Sequence, residues 1–202
     1  MKKFITIAGN MGVGKTTLAK KLAGHYDWRA MLEPVDNNPY IEKFYGDMAR
    51  WAFHSQLFFL TKAIEQHSEI VNGELSSVLD RSVYEHANIF AQNCYDSGYI
   101  TDDDWEIYRS LYSSFIDTVA PPDLMIFLKA SDAKIVERIE RRSRKYEIDI
   151  DREYFLGLNR LYNQWGEDYD LSDKLILNYD ELDLRDNIVD WNKFLEDFAK
   201  FI

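Results

Sequence analysis

Cysteine is almost absent from this 202-residue chain: Cys94 stands alone. One thiol can form neither an intramolecular disulfide nor a cysteine-cluster zinc site, and its isolation suits a reducing compartment. Proline occurs only at positions 34, 39, 121 and 122, and no Pro/Gly/Ser-rich linker, repeat or low-complexity tract marks a boundary. A single domain over 1–202 is expected, and 46% apolar residues suffice for a proper core. Long apolar runs are missing as well. Nothing approaches the roughly 18 residues of a membrane span. The N-terminal run 4–8 stops at Gly9, too short for a signal-peptide core, so a cytoplasmic protein is expected. Positive charge is scarce: 24 basic against 35 acidic side chains give a net charge of −11. Binding a nucleic acid polymer needs clustered Lys and Arg, which this balance argues against; a small anion on one local basic patch remains open.

Short apolar runs at 4–8, 30–32, 77–79, 124–128 and 174–177 read as buried strands. Helical patterns fill 15–24, 48–71, 83–98, 102–119, 132–145, 151–167 and 186–201. This alternation predicts an α/β fold, a five-stranded parallel sheet flanked by helices. Ligands of such sheets sit at the carboxyl ends of the strands.

Gly9-Asn10-Met11-Gly12-Val13-Gly14-Lys15-Thr16 matches the phosphate-loop pattern G-x-x-x-x-G-K-[ST] and directly follows the first strand. Its glycines let backbone N–H groups curl around phosphate oxygens, and the helix that follows, joined by Thr17, adds partial positive charge. Lys15 is expected to reach the terminal phosphates and the Thr16 hydroxyl to bind Mg²⁺. Gly24 is placed to end that helix. The chain is expected to bind a nucleoside triphosphate.

Two further strand ends carry charge. Glu33, before Pro34, could take a proton from an attacking hydroxyl across the sheet edge. In Asp80-Arg81-Ser82 the aspartate could help hold Mg²⁺, and Arg81 could pair with Glu33. On the helix over 48–71, Ala52, Gln56, Phe59 and Ala63 share one face, and Phe53, Leu57, Leu60 and Ile64 another. One face can line a pocket while the other packs in the core. Over 138–145, five basic residues in eight positions reverse the local charge, and Arg138 and Arg142 point the same way on a helix.

Together these segments resemble the deoxynucleoside kinase family, the group containing deoxycytidine, deoxyguanosine and deoxyadenosine kinases. The resemblance runs through Glu33-Pro34-Val35, Asn38-Pro39-Tyr40, Phe44-Tyr45, Arg50-Trp51, Gln56, Asp80-Arg81-Ser82-Val83-Tyr84-Glu85 and the arginine-rich segment to Glu147. It implies a P-loop kinase with an arginine-rich lid at about 138–148, transferring the γ-phosphoryl of ATP·Mg²⁺ to the 5′-hydroxyl of a deoxynucleoside in nucleotide salvage. By position, Glu33 resembles the base and Arg81 the residue that orients it. Tyr45 and Glu147 resemble the pair holding the 3′-hydroxyl, Gln56 the contact to the nucleobase, and Phe59 or Phe90 its packing surface. Arg138 and Arg142 resemble lid residues over the donor phosphates, and Arg144 either positions the 5′-oxygen or serves the lid. A homodimer joined through helices near 48–71 and 83–98 is also implied.

Two positions depart from the pattern. His86 stands where many relatives place an aspartate, and Ala63 where cytidine-accepting relatives carry its arginine partner. The general lines look most like bacterial deoxyadenosine and deoxyguanosine kinases, so a purine acceptor is expected, adenine first, with deoxycytidine or deoxyguanosine as alternatives. His86 is either a donor to the base or a structural surface residue; His25, His54 and His67 are read as structural. A nucleotide kinase such as thymidylate kinase would need a further arginine grip on its phosphorylated acceptor. A noncatalytic nucleotide-binding subunit would be expected to lack a base or a lid arginine.

Overall fold

The computed structural model describes residues 1–142 and 150–202. Phe4–Gly9 (β1) and Leu124–Lys129 (β4) are apolar along nearly their whole length, which suits strands covered on both faces. They form the middle of a five-stranded sheet of order β2-β3-β1-β4-β5, with Arg29–Met31 as β2, Ser77–Asp80 as β3 and Asp173–Asn178 as β5. All pairings are parallel, and the register sets Ile7 beside Asp80 on one side and Ile126 on the other. Alternate residues serve opposite layers, as a two-residue period requires. Ile5, Ile7, Leu124 and Ile126 join one apolar cluster, and Ala8, Met125 and Phe127 a second.

The helices are Lys15–Tyr26 (α1), Ile41–Gly46 (α2), Met48–Asn72 (α3), Val83–Glu85 (α4), Gln92–Asp96 (α5), Asp102–Ile116 (α6), Asp132–Arg142 (α7), Arg152–Asp168 (α8) and Ile188–Phe198 (α9). Three departures from the sequence reading have physical reasons. Gly24 does not end α1; the helix runs to Tyr26 and stops at Asp27, which takes the left-handed conformation (φ 54°) that aspartate tolerates. The helix expected over 83–98 contains a π-helical stretch, His86–Ala91, between α4 and α5. On α3 the four residues of the face expected to line a pocket, Ala52, Gln56, Phe59 and Ala63, are all buried, and of these Gln56 and Phe59 border a cavity. Of the face expected in the core only Leu60 is buried, while Phe53, Leu57 and Ile64 are half-covered.

This topology delivers the phosphate loop after β1, Glu33 just beyond β2, and Asp80 and Arg81 at the end of β3 to one edge of the sheet. Among the described residues no helix is long and apolar enough to cross a membrane.

Candidate active site

The phosphate loop depends on glycine where it leaves β1. Gly9 has φ +151°, and a Cβ there would lie 2.8 Å from the Leu128 carbonyl oxygen. Gly14, at φ +112°, starts α1 with the Tyr179 ring 3.3 Å from where its Cβ would be. Lys15 is buried in this turn, its Nζ donating to the carbonyls of Gly9 and Asn10 at 2.9 Å each. Burial, reinforced by the nearby Arg81 charge, lowers its pKa to about 8. The Asn10 side chain anchors the loop: Oδ1 accepts from the Met11 N–H at 2.7 Å, and Nδ2 donates to the Phe155 carbonyl and Asn159 Oδ1 on α8.

The Thr16 hydroxyl donates to Asp80 Oδ2, and Asp80 Oδ1 is buried without a hydrogen-bond partner among the described residues. Burial raises the Asp80 pKa, opposed by Lys15. No group of three His, Cys, Asp or Glu side chains suited to a metal occurs among the described residues. The unpartnered Asp80 oxygen beside the Thr16 hydroxyl would suit Mg²⁺, an ion that keeps waters and takes ligands from phosphates instead of requiring a protein cage.

Arg81 lies beside Asp80 with φ 73°, a left-handed conformation that costs a non-glycine residue about 1–3 kcal/mol. Its guanidinium is held from three directions. Nε lies 2.9 Å from Glu33 Oε1, a contact of charge and not an aligned hydrogen bond. Nη1 donates to the Tyr162 hydroxyl at 2.8 Å, and the guanidinium carbon sits 4.1 Å from the Phe90 ring centre. Glu33 is thus fixed beside a buried cation while its own side chain stays 16% exposed, open to a substrate.

A cavity of about 500 Å³ opens from Lys15, Thr16 and Glu33 toward Gln56, Phe59, His86 and Phe90. His86, expected either here or at the surface, is buried and lies flat on Phe59, ring centres 5.3 Å apart and planes 6° from parallel. Burial, then the charges of Arg81 and Lys15, hold its pKa well below the ordinary value, so the imidazole is neutral. Its Nε2 is 4.0 Å from Glu33 Oε1, and its Nδ1 has no partner among the described residues. Gln56 Nε2 donates to Cys94 Sγ at 3.7 Å, which leaves Oε1 the unpartnered end of the amide. Tyr45 also lines the cavity, its hydroxyl 3.9 Å from Met11 Sδ.

A second cavity, about 770 Å³, shares Gly12, Gly14, Thr17 and Arg142 with the first and continues past Val13 to a loop of residues 179–187. Arg138 borders it but is turned to the backbone, with Nη1 donating to the Val13 carbonyl at 2.7 Å and Nη2 to the Tyr179 carbonyl at 3.1 Å. Arg138 and Arg142 thus share this cavity, but only Arg142 also borders the first. Arg144 and Glu147 lie outside the described residues.

The deoxynucleoside kinase family model matches residues 5–202. The chain belongs to that family. It is 37% identical over 194 residues to the deoxyadenosine/deoxycytidine kinase of Bacillus subtilis, covering 92% of this chain and 89% of that one. To the deoxyguanosine kinase of Lactobacillus acidophilus it is 30% identical over 195 residues, covering 92% and 85%. A deoxyadenosine kinase from M. mycoides, solved with bound dATP, superposes with a TM-score of 0.82 at 27% identity, covering 96% of this chain and 99% of that one. This deoxynucleoside kinase is accordingly a phosphotransferase with the P-loop kinase fold.

Three residues of the kinase site escaped sequence reasoning. Tyr154 and Tyr162, both on α8, reach the cavity and Arg81 from a helix with no local motif to announce them. Glu85 was visible only as the last member of the Asp80–Glu85 string, and its spacing from Ser82 signals a capping box, which is indeed present.

Proposed function

We propose that the chain transfers the γ-phosphoryl group of ATP to the 5′-hydroxyl of a deoxynucleoside, with deoxyadenosine the preferred acceptor, in cytoplasmic nucleotide salvage. The observation that carries this reading is the cavity in which Glu33, paired with Arg81, faces Lys15 and the phosphate loop, with Gln56 and His86 at its far end. Glu33 accepts the 5′-hydroxyl proton, and Arg81 holds the carboxylate toward the reacting oxygen. Lys15 and the N–H groups of Gly12 and of residues 14–17 at the start of α1 hold the donor phosphates, with Arg138 and Arg142 on the donor side. Charge spreading over the phosphoryl oxygens in transfer is what such cations stabilise. Mg²⁺ at Thr16 and Asp80 supplies neutralisation of the phosphate charge when bound. Tyr45, with Glu147, takes the 3′-hydroxyl, Arg144 serves the lid or the 5′-oxygen, and Phe59 and Phe90 flank the base.

The base preference is supported by which polar atoms are uncommitted. Gln56 presents an acceptor, Oε1, which suits the exocyclic amine of adenine or cytosine. Neutral His86 has one ring N–H to give to a purine nitrogen. The half-covered apolar residues Phe53, Leu57 and Ile64 on α3 support a homodimer through that helix.

The test is a coupled ADP-release assay with ATP·Mg²⁺ and each of the four deoxynucleosides, with adenosine as ribose control and thymidine monophosphate as phosphorylated control. Deoxyadenosine should turn over fastest. Turnover led by deoxycytidine or deoxyguanosine would keep the mechanism and overturn the base preference. Turnover of thymidine monophosphate alone would overturn the acceptor class.

A further inference from the structure

Glu85 is a fully buried carboxylate, yet a capping box needs its glutamate only at the start of a helix, where water usually reaches it. The capping box accounts for one of its contacts, the Ser82 N–H at 2.8 Å, and the Ser82 hydroxyl at 3.2 Å joins it, both donating to Oε2. The other oxygen does something else. Oε1 accepts from the Gly9 N–H at 3.2 Å, in the first residue of the phosphate loop, and from the Tyr162 hydroxyl at 2.8 Å. Four donors converge on two oxygens, the full capacity of an ionised carboxylate. Tyr162, having donated, accepts from Arg81 Nη1, and Arg81 holds Glu33. One buried chain therefore runs from the phosphate loop through Glu85, Tyr162 and Arg81 to Glu33. Its members come from five parts of the chain: the end of β1, α4, α8, the turn after β3 and the segment just beyond β2. Removing a buried charge from water is costly unless every bond is made, so such a chain holds one geometry or none.

We propose that Glu85 and Tyr162 are positioning residues that fix the acceptor-side pair Glu33–Arg81 relative to the donor-side phosphate loop. The proposal rests on the reading of Glu33 as the base. In-line transfer requires donor and acceptor oxygens to meet in one geometry, and both ends of that geometry hang on the same carboxylate. Neither residue touches the cavity contents through the atoms used here; each acts through Gly9 or Arg81. Ser82 supplies the cap that the helix needs, so the reach of Oε1 toward Gly9 and Tyr162 is additional to helix formation.

The deciding experiment compares wild type with Tyr162→Phe, which deletes the relay hydroxyl and keeps the ring packed against Phe90, in steady-state turnover with ATP and deoxyadenosine. Expected is a fall in kcat of about 10- to 100-fold, the scale of a small misplacement of reacting groups. KM for each substrate should stay within about twofold and the thermal midpoint close to wild type. A residue that served only the fold would move the midpoint and both KM values together. An unchanged kcat in folded Tyr162→Phe would overturn the proposal, as would a loss explained wholly by KM. Should Tyr162→Phe fail to fold, Glu85→Gln is read by the same split. It keeps the shape of the side chain but cannot accept from all four donors, and unchanged kcat in it would equally overturn the proposal. If wild type turns over no deoxynucleoside, the proposed function fails and takes this inference with it. Turnover in wild type with unaltered kcat in the variants sinks this inference alone.

Discussion

In the proposed mechanism Glu33 and Lys15 divide the chemistry, and each has its own test. Glu33→Gln preserves size but removes the proton acceptor and the charge paired with Arg81, so turnover should fall about 10²–10⁴-fold. ADP release under saturating deoxynucleoside checks this, and a loss of less than about threefold would remove Glu33 from the role. For Lys15 the sign follows from its lowered pKa of about 8. As pH rises through that value the free enzyme loses the ammonium, while bound phosphates favour the charged form. Donor binding then takes up a proton, and ATP affinity should weaken toward about tenfold per pH unit above 8. Titration calorimetry at a series of pH values reads this slope, and Lys15→Arg should flatten it because arginine keeps its charge. Most residues that line the candidate site were legible because they sit in short strings with a chemical grammar of their own: the glycine-rich loop, Glu33-Pro34, Asp80-Arg81-Ser82. Glu85 and Tyr162 were not, because their meaning lies in a convergence across 77 positions of sequence that no local pattern encodes. His86 was legible as a departure, but its neutrality and its stacking on Phe59 emerge only from burial.

At the scale of elements, the phosphate loop is the most constrained piece. A Cβ at Gly9 would meet backbone at Leu128, which has no side-chain freedom to yield. Gly9→Ala should therefore lose donor binding and destabilise the fold by about 1–3 kcal/mol, measurable by urea denaturation alongside ATP titration. The strands were read correctly because three- to five-residue apolar runs alternating with helical patterns leave few other choices. The ends of helices were less legible. Gly24 looked like a stop, yet nothing lies within 4 Å of where its Cβ would be and α1 runs on for two residues. The π-helical stretch was invisible for a plain reason: six residues are too few to separate its period from that of an α-helix. The short α2 was passed over because its single turn carries too little periodicity to register.

For the whole molecule, pH dependence of stability tests how the interior is built. His67 packs edge-on against Phe4, Tyr84 and Phe115, bonds the Ala120 carbonyl through Nε2 at 2.9 Å, and has its pKa lowered by burial. The unfolded chain gains a proton near the ordinary histidine value of 6.5 and the folded chain only at lower pH. The stabilisation is thus complete above 6.5 and is lost as pH falls through and below it. His86 acts in the same sense, whereas Asp80 and Glu85, with raised values, act in the opposite one. The individual share of His67 is therefore read by comparison: His67→Phe should lose less stability than wild type between about pH 7 and about pH 5, by urea midpoints.

Cys94, the only cysteine, is 0% exposed, and burial pushes its thiol up to about 12. It accepts from Gln56, which lines the cavity proposed to take the deoxynucleoside. A thiol so placed is silent toward disulfide reagents until the interior opens, so its labelling rate becomes a clock for that opening. Acceptor bound to the closed form should slow the clock by the factor 1 + [L]/Kd, about 100-fold at one hundred times Kd. Nucleoside affinity can then be read from an unmodified chain in which no phosphoryl group is transferred.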